Sequence, residues 1–548
     1  MKFTSSRIFL SLIWLSLLGL VACSAPFVSA GPFVYYVSAD GDDSGSGLRR
    51  ESAWKTLERA TEQELKPGDT LMFIGNQPLG GELELDYLDG GDSSRPVRIT
   101  AEPEFPGLKA DGPAGITVID TSGVLIENLE IFVEHDHSKQ STDGILLHAT
   151  EGTGHHSGVT INQVKVQGAY NGISLASSGA GDGFENVTIN KVNISDCIRN
   201  GIISYGIAAP GYGHKSLQIL DSTVSGTRGI TDITKNSGSG IVIGSAEDVV
   251  VEGNETFNNG AFSNANEGPI GIWTHDSTRV LIKNNKSYDN KSLRADGGGF
   301  GLDIATTNST IEGNISYNNA GPGILLIAHE SGGNTGGNIV RYNASVGDSW
   351  LNSYHGGISV IGGFSMGESA PIIEDTKIHH NTVFPAISSG AAALKLRGNL
   401  SSMIIHHNIF DTSQGQAPAI AAEDINPEAE VSFVANQISA NPHIGGELIN
   451  WDGMPVYSIE QLESSFQGTY QNIDYPAIYP AGNDINAVLA SLGGVPPLAV
   501  SATVPVDNVP ATVDLLGAPL TEQNPMVGAI SAVSTGQISR RQRTSLQQ

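Results

Sequence analysis

The sequence predicts an all-β solenoid of stacked coils, and three observations carry the prediction. A glycine-led strand motif returns about every thirty residues, a second apolar motif alternates with it, and the composition suits dense turns. The first motif reads Gly followed by Ile or Leu, at Gly144, Gly172, Gly201, Gly240, Gly271, Gly301, Gly323 and Gly357. The steps between these glycines are 28, 29, 39, 31, 30, 22 and 34 residues. The second motif reads hydrophobe-x-x-Asn, at Val251/Asn254, Ile282/Asn285, Ile311/Asn314, Val340/Asn343, Ile378/Asn381 and Ile405/Asn408. Its asparagines are 31, 29, 29, 38 and 27 residues apart, and earlier coils keep the phase with apolar residues, as in Ile161/Val164 and Ile189/Val192.

Each segment alternates inward and outward side chains, as a half-buried strand must. One coil cannot bury its own Ile, Leu and Val; stacking coils buries each against its equivalents above and below. The Asn is expected at a tight turn, where its side chain tolerates a left-handed backbone and can hydrogen-bond along the stack. Long steps such as 39, 34 and 38 are read as loop insertions, the usual carriers of function. Charged residues are 16%, aromatics 6% and hydrophobics 39%, with 67 Gly and 25 Pro, a turn-dense but not a disordered composition.

These repeats resemble the right-handed parallel β-helix superfamily, the pectin-lyase-like fold of polysaccharide lyases, some glycoside hydrolases, epimerases and phage tailspikes. The start strengthens the resemblance: Tyr35, Tyr36, Val37, Ser38, Ala39, Asp40 and Gly41, then Trp54 and Leu57, then Pro67, Gly68, Asp69 and Thr70, look like the N-terminal cap of secreted members. The run from Asp296 through Gly297, Gly298, Gly299, Phe300, Gly301 and Leu302 to Asp303 also recurs in such proteins. The resemblance covers residues 35–412 and implies a fold and a carbohydrate substrate, not a particular activity. It makes 35–412 a right-handed parallel β-helix with an N-terminal cap, 413–531 an irregular C-terminal capping region and 532–548 a frayed tail. Segments around Trp451 and Tyr457 look like closing pieces of the cap.

The N-terminus reads as an export signal. Lys2 and Arg7 precede an apolar run of 15 residues, 8–22, too short for a comfortable membrane span. Leu20, Val21, Ala22 and Cys23 look like a lipobox, which makes 1–22 the signal, Cys23 a lipidated anchor and 23–34 a tether. Val28, Ser29 and Ala30 offer an ordinary cleavage site instead, with 1–30 removed. Either way the body lies outside the cytoplasm, in the cell envelope or secreted, and a monomer is expected. Cys197 is then the one thiol of the body, which excludes a Cys₄ or Cys₂His₂ zinc site.

The net charge of −28 argues against nucleic acid and anionic lipid as partners. It also weighs against a polyanionic polysaccharide unless a basic groove or Ca²⁺ screens it. The sequence makes no cofactor certain and leaves Ca²⁺ open; Asp40, Asp42 and Asp43 are a weak candidate for it. Nine Asn-x-Ser/Thr sequons occur, several of them the turn Asn followed by a strand residue.

If Ile points inward on the glycine-led strands, the next residue points outward, and Trp273 and Asp303 should be neighbours about 4.8 Å apart. His275 shares their face, Asp276, Asp296, Arg294, His329, Glu330 and His355 come from flanking turns, and Tyr205 stands outward on an earlier coil. An exposed Trp packs on a sugar ring, while carboxylates serve as acid, base or nucleophile. Asp303, His275, Asp276, Asp296 and Glu330 are the catalytic candidates; Trp273, His329, His355, Tyr205 and Arg294 are those for binding. Each alone is more often a turn former or a surface group; their convergence is the signal. Lys395 and Arg397, two residues apart on one strand face, are further candidates, because a polysaccharide lyase needs a base and positive charge to stabilise its anion. The bland alternative is an ion pair with neighbouring acids.

Ser141, Thr142, Asp143, Gly144 and Ile145, and His355, Gly356, Gly357, Ile358 and Ser359, echo pieces of the polygalacturonase family. In that family they occupy adjacent coils; here about seven coils intervene, with no Asp-Asp pair between, and the assignment is rejected. The leading expectation is a glycoside hydrolase or polysaccharide lyase acting on an extracellular polysaccharide. The competing one is a non-catalytic glycan-binding or adhesive protein on the same scaffold.

Overall fold

The computed structural model describes residues 31–461 other than 135–140, 208–210, 234, 331, 364–369, 442–445 and 459. The export signal, Cys23 and the segments expected as the distal cap and tail lie outside the described residues.

Alternating apolar residues fold into short parallel strands, and successive coils stack them into a 14-stranded sheet and a 26-stranded sheet. A typical coil runs Ile270–His275, Thr278–Lys283 and Lys286–Tyr288. The first of these joins the 14-stranded sheet, and the other two, separated by a sharp corner, join the larger one. Inward residues form columns: Ile241, Ile272, Phe300, Ile324 and Ile358 are successive register partners. They belong to one continuous core that runs from Tyr35 to Val456.

At the N-terminal end Trp54 is fully buried and stacks on Tyr35 at 5.1 Å. The short helix Leu57–Thr61 packs Leu57 and Ala60 inward, and its cap Thr56 accepts from the Arg59 N–H through Oγ1. Asp43 accepts from the Lys55 and Thr56 N–H groups, and Asp42 from Ser44, so these carboxylates build the cap's turns.

The structure moves three expectations. The coil does not fade at residue 412: Ile420–Glu423, Val431–Val434, Gln437–Ala440 and Ile449–Trp451 all pair in parallel with the preceding coil. The sheet ends where Met454–Val456 turns back antiparallel on Ile449–Trp451. The glycine that anchors the coil after Gly271 is Gly299, not Gly301, because Ile272 pairs with Phe300 and Trp273 with Gly301. The third change concerns the turn asparagines. The left-handed backbone belongs to the residue before each one, such as Asn284, Tyr342, His380 and His407.

The asparagines instead form a buried row, Asn254, Asn285, Asn314, Asn343, Asn381, Asn408 and Asn436. Each of the first six donates its backbone N–H and its Nδ2 to the Oδ1 of the next coil's Asn, as Asn285 does to Asn314 at 2.9 and 3.0 Å. The Nδ2 also donates to a strand carbonyl, Ile282 O for Asn314 at 2.8 Å. Both side-chain polar atoms are thereby satisfied out of water. A shorter row, Asn259, Asn290, Asn319 and Asp348, repeats the device at the next corner. The sequons at Asn254, Asn285, Asn314 and Asn343 are thus parts of the interior, closed to a glycan in the folded chain. No helix among the described residues is long and apolar enough to cross a membrane.

Candidate functional site

The outward face of the 14-stranded sheet carries two columns of side chains. Val242, Trp273, Gly301, Leu325, Ser359 and Lys395 form one. Two residues further along each strand, Gly244, His275, Asp303, Ile327, Ile361 and Arg397 form the other, Asp303 following from the Trp273–Gly301 register. Asp303 is therefore the neighbour of His275, and not of Trp273 as the glycine count implied.

Trp273 is also not exposed. At 8% exposure it packs with Val242, Ile270, Leu325 and Ile361, and its Nε1 donates to Ser239 Oγ at 3.0 Å. The outward strip is apolar enough to collapse on itself, and Gly301 leaves room beside it: a Cβ there would meet Trp273 Cβ at 3.2 Å and Ile270 Cδ1 at 3.0 Å. A buried indole offers no platform to a sugar.

Loops 258–269, 289–297 and 347–357 lead into the strands Ile270–His275, Gly298–Leu302 and Ile358–Ile361 of this sheet, and they carry Glu267, Asp296 and His355. Asp303 sits on the floor. Its N–H donates to Thr274 O, fixing the backbone, and its Oδ1 accepts from the Ile304 N–H at 2.7 Å. Although the residue keeps some exposed surface, its carboxyl is enclosed, and burial pushes it up to about 7. The Ile304 N–H and His275 oppose that rise; Asp296 and Glu267 add to it.

His275 holds Asp276 through Nδ1 at 2.8 Å, and its ring leans on Trp273 at 5.2 Å. Gly244, the preceding rung, clears the space: a Cβ at that position would stand 2.5 Å from His275 Nε2 and 2.9 Å from Ser204 O. Gly244→Ala is expected to cost about 1–3 kcal/mol by overpacking. The cost should shrink in a His275→Ala background, measured as a difference in unfolding midpoints.

Asp296 accepts from the Gly268 N–H through Oδ2 at 2.8 Å, tying two loops together, and its Oδ1 lies 2.9 Å from His355 Nε2. His355 is buried, with Tyr354 edge-on at 4.8 Å. Tyr354 in turn lies under the Arg397 guanidinium at 4.9 Å. Lys395 donates to Ser353 O at 2.9 Å and contacts Glu423 at 3.0 Å; Arg397 approaches the same Glu423 at 3.4 Å. The two cations are therefore already in an ion-pair network with an acid of the next coil.

The predicted residues thus divide. His275 contacts Asp276 and is the register neighbour of Asp303, whose titration Asp296 also influences, and Asp296 contacts His355; Lys395 and Arg397 lie further along the same face, Arg397 about 14 Å from Asp303 at about 4.8 Å per coil. Tyr205 is exposed in the same column, two coils before His275, with Gly244 between. Arg294 is exposed on the loop that carries Asp296, while His329 and Glu330 are exposed on the turn after Ile324–Ile327. Asp143 of the rejected polygalacturonase motif is interior, accepting from Asn171 and Ser174. Glu267, Tyr354 and Glu423 have no signal in the sequence, since only loop paths and register bring them to Asp303, to His355 and to the Lys395–Arg397 pair.

A family model described as a right handed beta helix region matches residues 144–363. That match and the stacked parallel coils agree on the fold, a right-handed parallel β-helix. Nothing among curated proteins matches the sequence. Among solved structures, the β-helix resembles the GH136 lacto-N-biosidase from Eubacterium ramulus at 17% identity and TM-score 0.48, over 74% of this chain and 67% of that one. It also resembles the A-module of the Azotobacter vinelandii mannuronan C-5 epimerase AlgE4 at 15% identity and TM-score 0.42, over 68% and 87%. The pectate lyase Pel9A is similar at 13% identity and TM-score 0.40, over 91% and 96%. These β-helices are likenesses at low identity and assign no activity to the chain.

Proposed function

We propose that the protein is an exported carbohydrate-active enzyme that hydrolyses a glycosidic bond of an extracellular polysaccharide at Asp303. One observation carries the reading: a carboxyl raised to about 7 on an outward face, under the influence of the His275 imidazole and of a second carboxyl, Asp296, which itself meets His355. A carboxylic acid that keeps its proton near neutral pH can give it to the leaving oxygen of a glycosidic bond. Asp296, held by the Gly268 N–H and His355, is the partner for attack on the sugar carbon, directly or through water. His275 and Asp276 orient the floor; Tyr354, exposed at the rim, and Tyr205 offer rings to neighbouring sugars.

Elimination, the other chemistry, needs a free base and free positive charge, and Lys395 and Arg397 are engaged by Glu423. Non-catalytic glycan binding is the second reading, favoured by the exposed tyrosines on the same face. A polysaccharide panel followed by reducing-end release and by absorbance of unsaturated products separates all three. Silence in both assays with retained glycan binding sinks the enzyme reading.

Export and anchoring belong to the same proposal, with Cys23 as the lipidated residue and the cell envelope as the location. Metabolic labelling with palmitate is expected to mark the wild type and not Cys23→Ala; equal labelling, or none, removes the anchor.

A further inference from the structure

We propose that His379, His380, His406 and His407 bind one late transition-metal ion, of the class that imidazole prefers, at a corner of the 26-stranded sheet remote in the coil from Asp303. The sequence writes the motif twice: Ile378, His379, His380, Asn381, and one coil later Ile405, His406, His407, Asn408. Register makes the repeat spatial, because His379 and His406 are paired on adjacent strands. Their rings stack at 4.5 Å and 6°, and those of His380 and His407 at 5.0 Å and 7°. Within each coil the two imidazoles stand nearly perpendicular and face one another through Nδ1, at 2.8 Å for His379 and His380 and 3.1 Å for His406 and His407. One nitrogen from each of His379, His380 and His406 falls within 4.8 Å of the others.

A tetrahedral ion with metal–nitrogen bonds of about 2.0–2.1 Å needs its ligand nitrogens about 3.4 Å apart. The observed spacings bracket that value, so small side-chain rotations suffice. The donor set is all imidazole, which selects Zn²⁺, Co²⁺, Ni²⁺ or Cu²⁺ over Ca²⁺ and Mg²⁺, whose ligands are oxygens. His379 and His406 are 4% exposed, which holds their rings in place, while His380 and His407 are half-buried and leave an approach.

Two basic residues neighbour the cluster. Arg341 is the partner of His379 in the preceding coil, but its guanidinium is drawn to Glu312 one coil further back, at 2.6 Å. Lys377 precedes His379 on the same strand face, and Val434 and Ala435 follow the cluster on the next coil. Tyr342 stacks on His380 at 5.0 Å. Such an ion would tie two coils together beside Asn381 and Asn408, and would stabilise the chain by mass action.

The test uses the full chain, purified without a polyhistidine tag and stripped with a chelator. Titration calorimetry with Zn²⁺, and visible absorption with Co²⁺, are expected to give one ion per chain, a dissociation constant in the micromolar range or tighter, and a raised unfolding midpoint. The double variant His380→Gln and His407→Gln should weaken binding at least a hundredfold and leave the metal-free midpoint close to that of the wild type. If that variant fails to fold, the wild type alone decides: Zn²⁺ should protect His380 and His407 from diethyl pyrocarbonate. No binding by the wild type at millimolar metal, unaltered binding by the double variant, or absence of that protection would each overturn the proposal.

Discussion

Asp303→Asn is expected to lower kcat by about 10²–10⁴-fold, the range for loss of a positioned general acid, while KM changes little. Asn keeps the size and still accepts the Ile304 N–H, so the fold survives, but it has no acidic proton to give. The pH dependence follows from the same residue. Activity that needs a protonated Asp303 falls as pH rises through about 7. Stability moves in the same direction. The folded carboxyl is raised above the ordinary carboxylate value of about 3.9, so between pH 4 and 7 the folded state holds more proton than the unfolded one. Its contribution is full below about 4 and is lost as pH rises to about 7. Asp303→Asn should remove that part of the pH dependence when unfolding midpoints at pH 5 and 8 are compared. A variant with wild-type kcat and an unshifted profile refutes the role.

The largest effect on stability is expected from the asparagine row. Asn314 is fully buried, and its Oδ1 accepts from both Asn285 N–H and Asn285 Nδ2, while its own Nδ2 donates to Ile282 O and Asn343 Oδ1. Asn314→Ala removes a hydrogen bond from each of four buried groups that water cannot reach, at about 1 kcal/mol each, or about 4 kcal/mol in all. Because repeat arrays unfold locally, amide exchange is the sharper readout: protection should fall around 282–285 and 311–314 and stay unchanged near the N-terminal cap. Asn314→Asp, which sets a buried carboxylate oxygen against the acceptors Ile282 O and Asn343 Oδ1, should cost at least as much. Equal exchange in wild type and Asn314→Ala would show that the row adds nothing.

The coil was legible because its period is carried by many residues at once. Spacing alone located the inward columns and the Asn corners. The misplacement of Gly301 has a specific cause. In the run Gly297, Gly298, Gly299, Phe300, Gly301, several glycines can serve as the anchor, and a shift of two preserves inward–outward parity. Only the register of Phe300 against Ile272 resolves it. Strand parity places Trp273 outward, as observed, but cannot tell that it is buried, because exposure depends on what neighbouring coils lay over the strand. The approach of His355 to Asp296 spans 59 residues and depends on two loop paths that no local pattern encodes. The doubled Ile-His-His-Asn, by contrast, was open to inspection, and its meaning lies in the stacking of adjacent coils.

The asparagine row has a direction. Each coil donates to the Oδ1 that the next coil supplies, from Asn254 through to Asn436. A chain that emerges N-terminus first therefore presents, at every stage, an amide and a backbone N–H whose acceptor has not yet been made. The leading edge of the growing solenoid is donor-rich and seeks another strand, as any open sheet edge does. A product stopped after Asn343 would carry an open edge, and aggregation would be its characteristic failure.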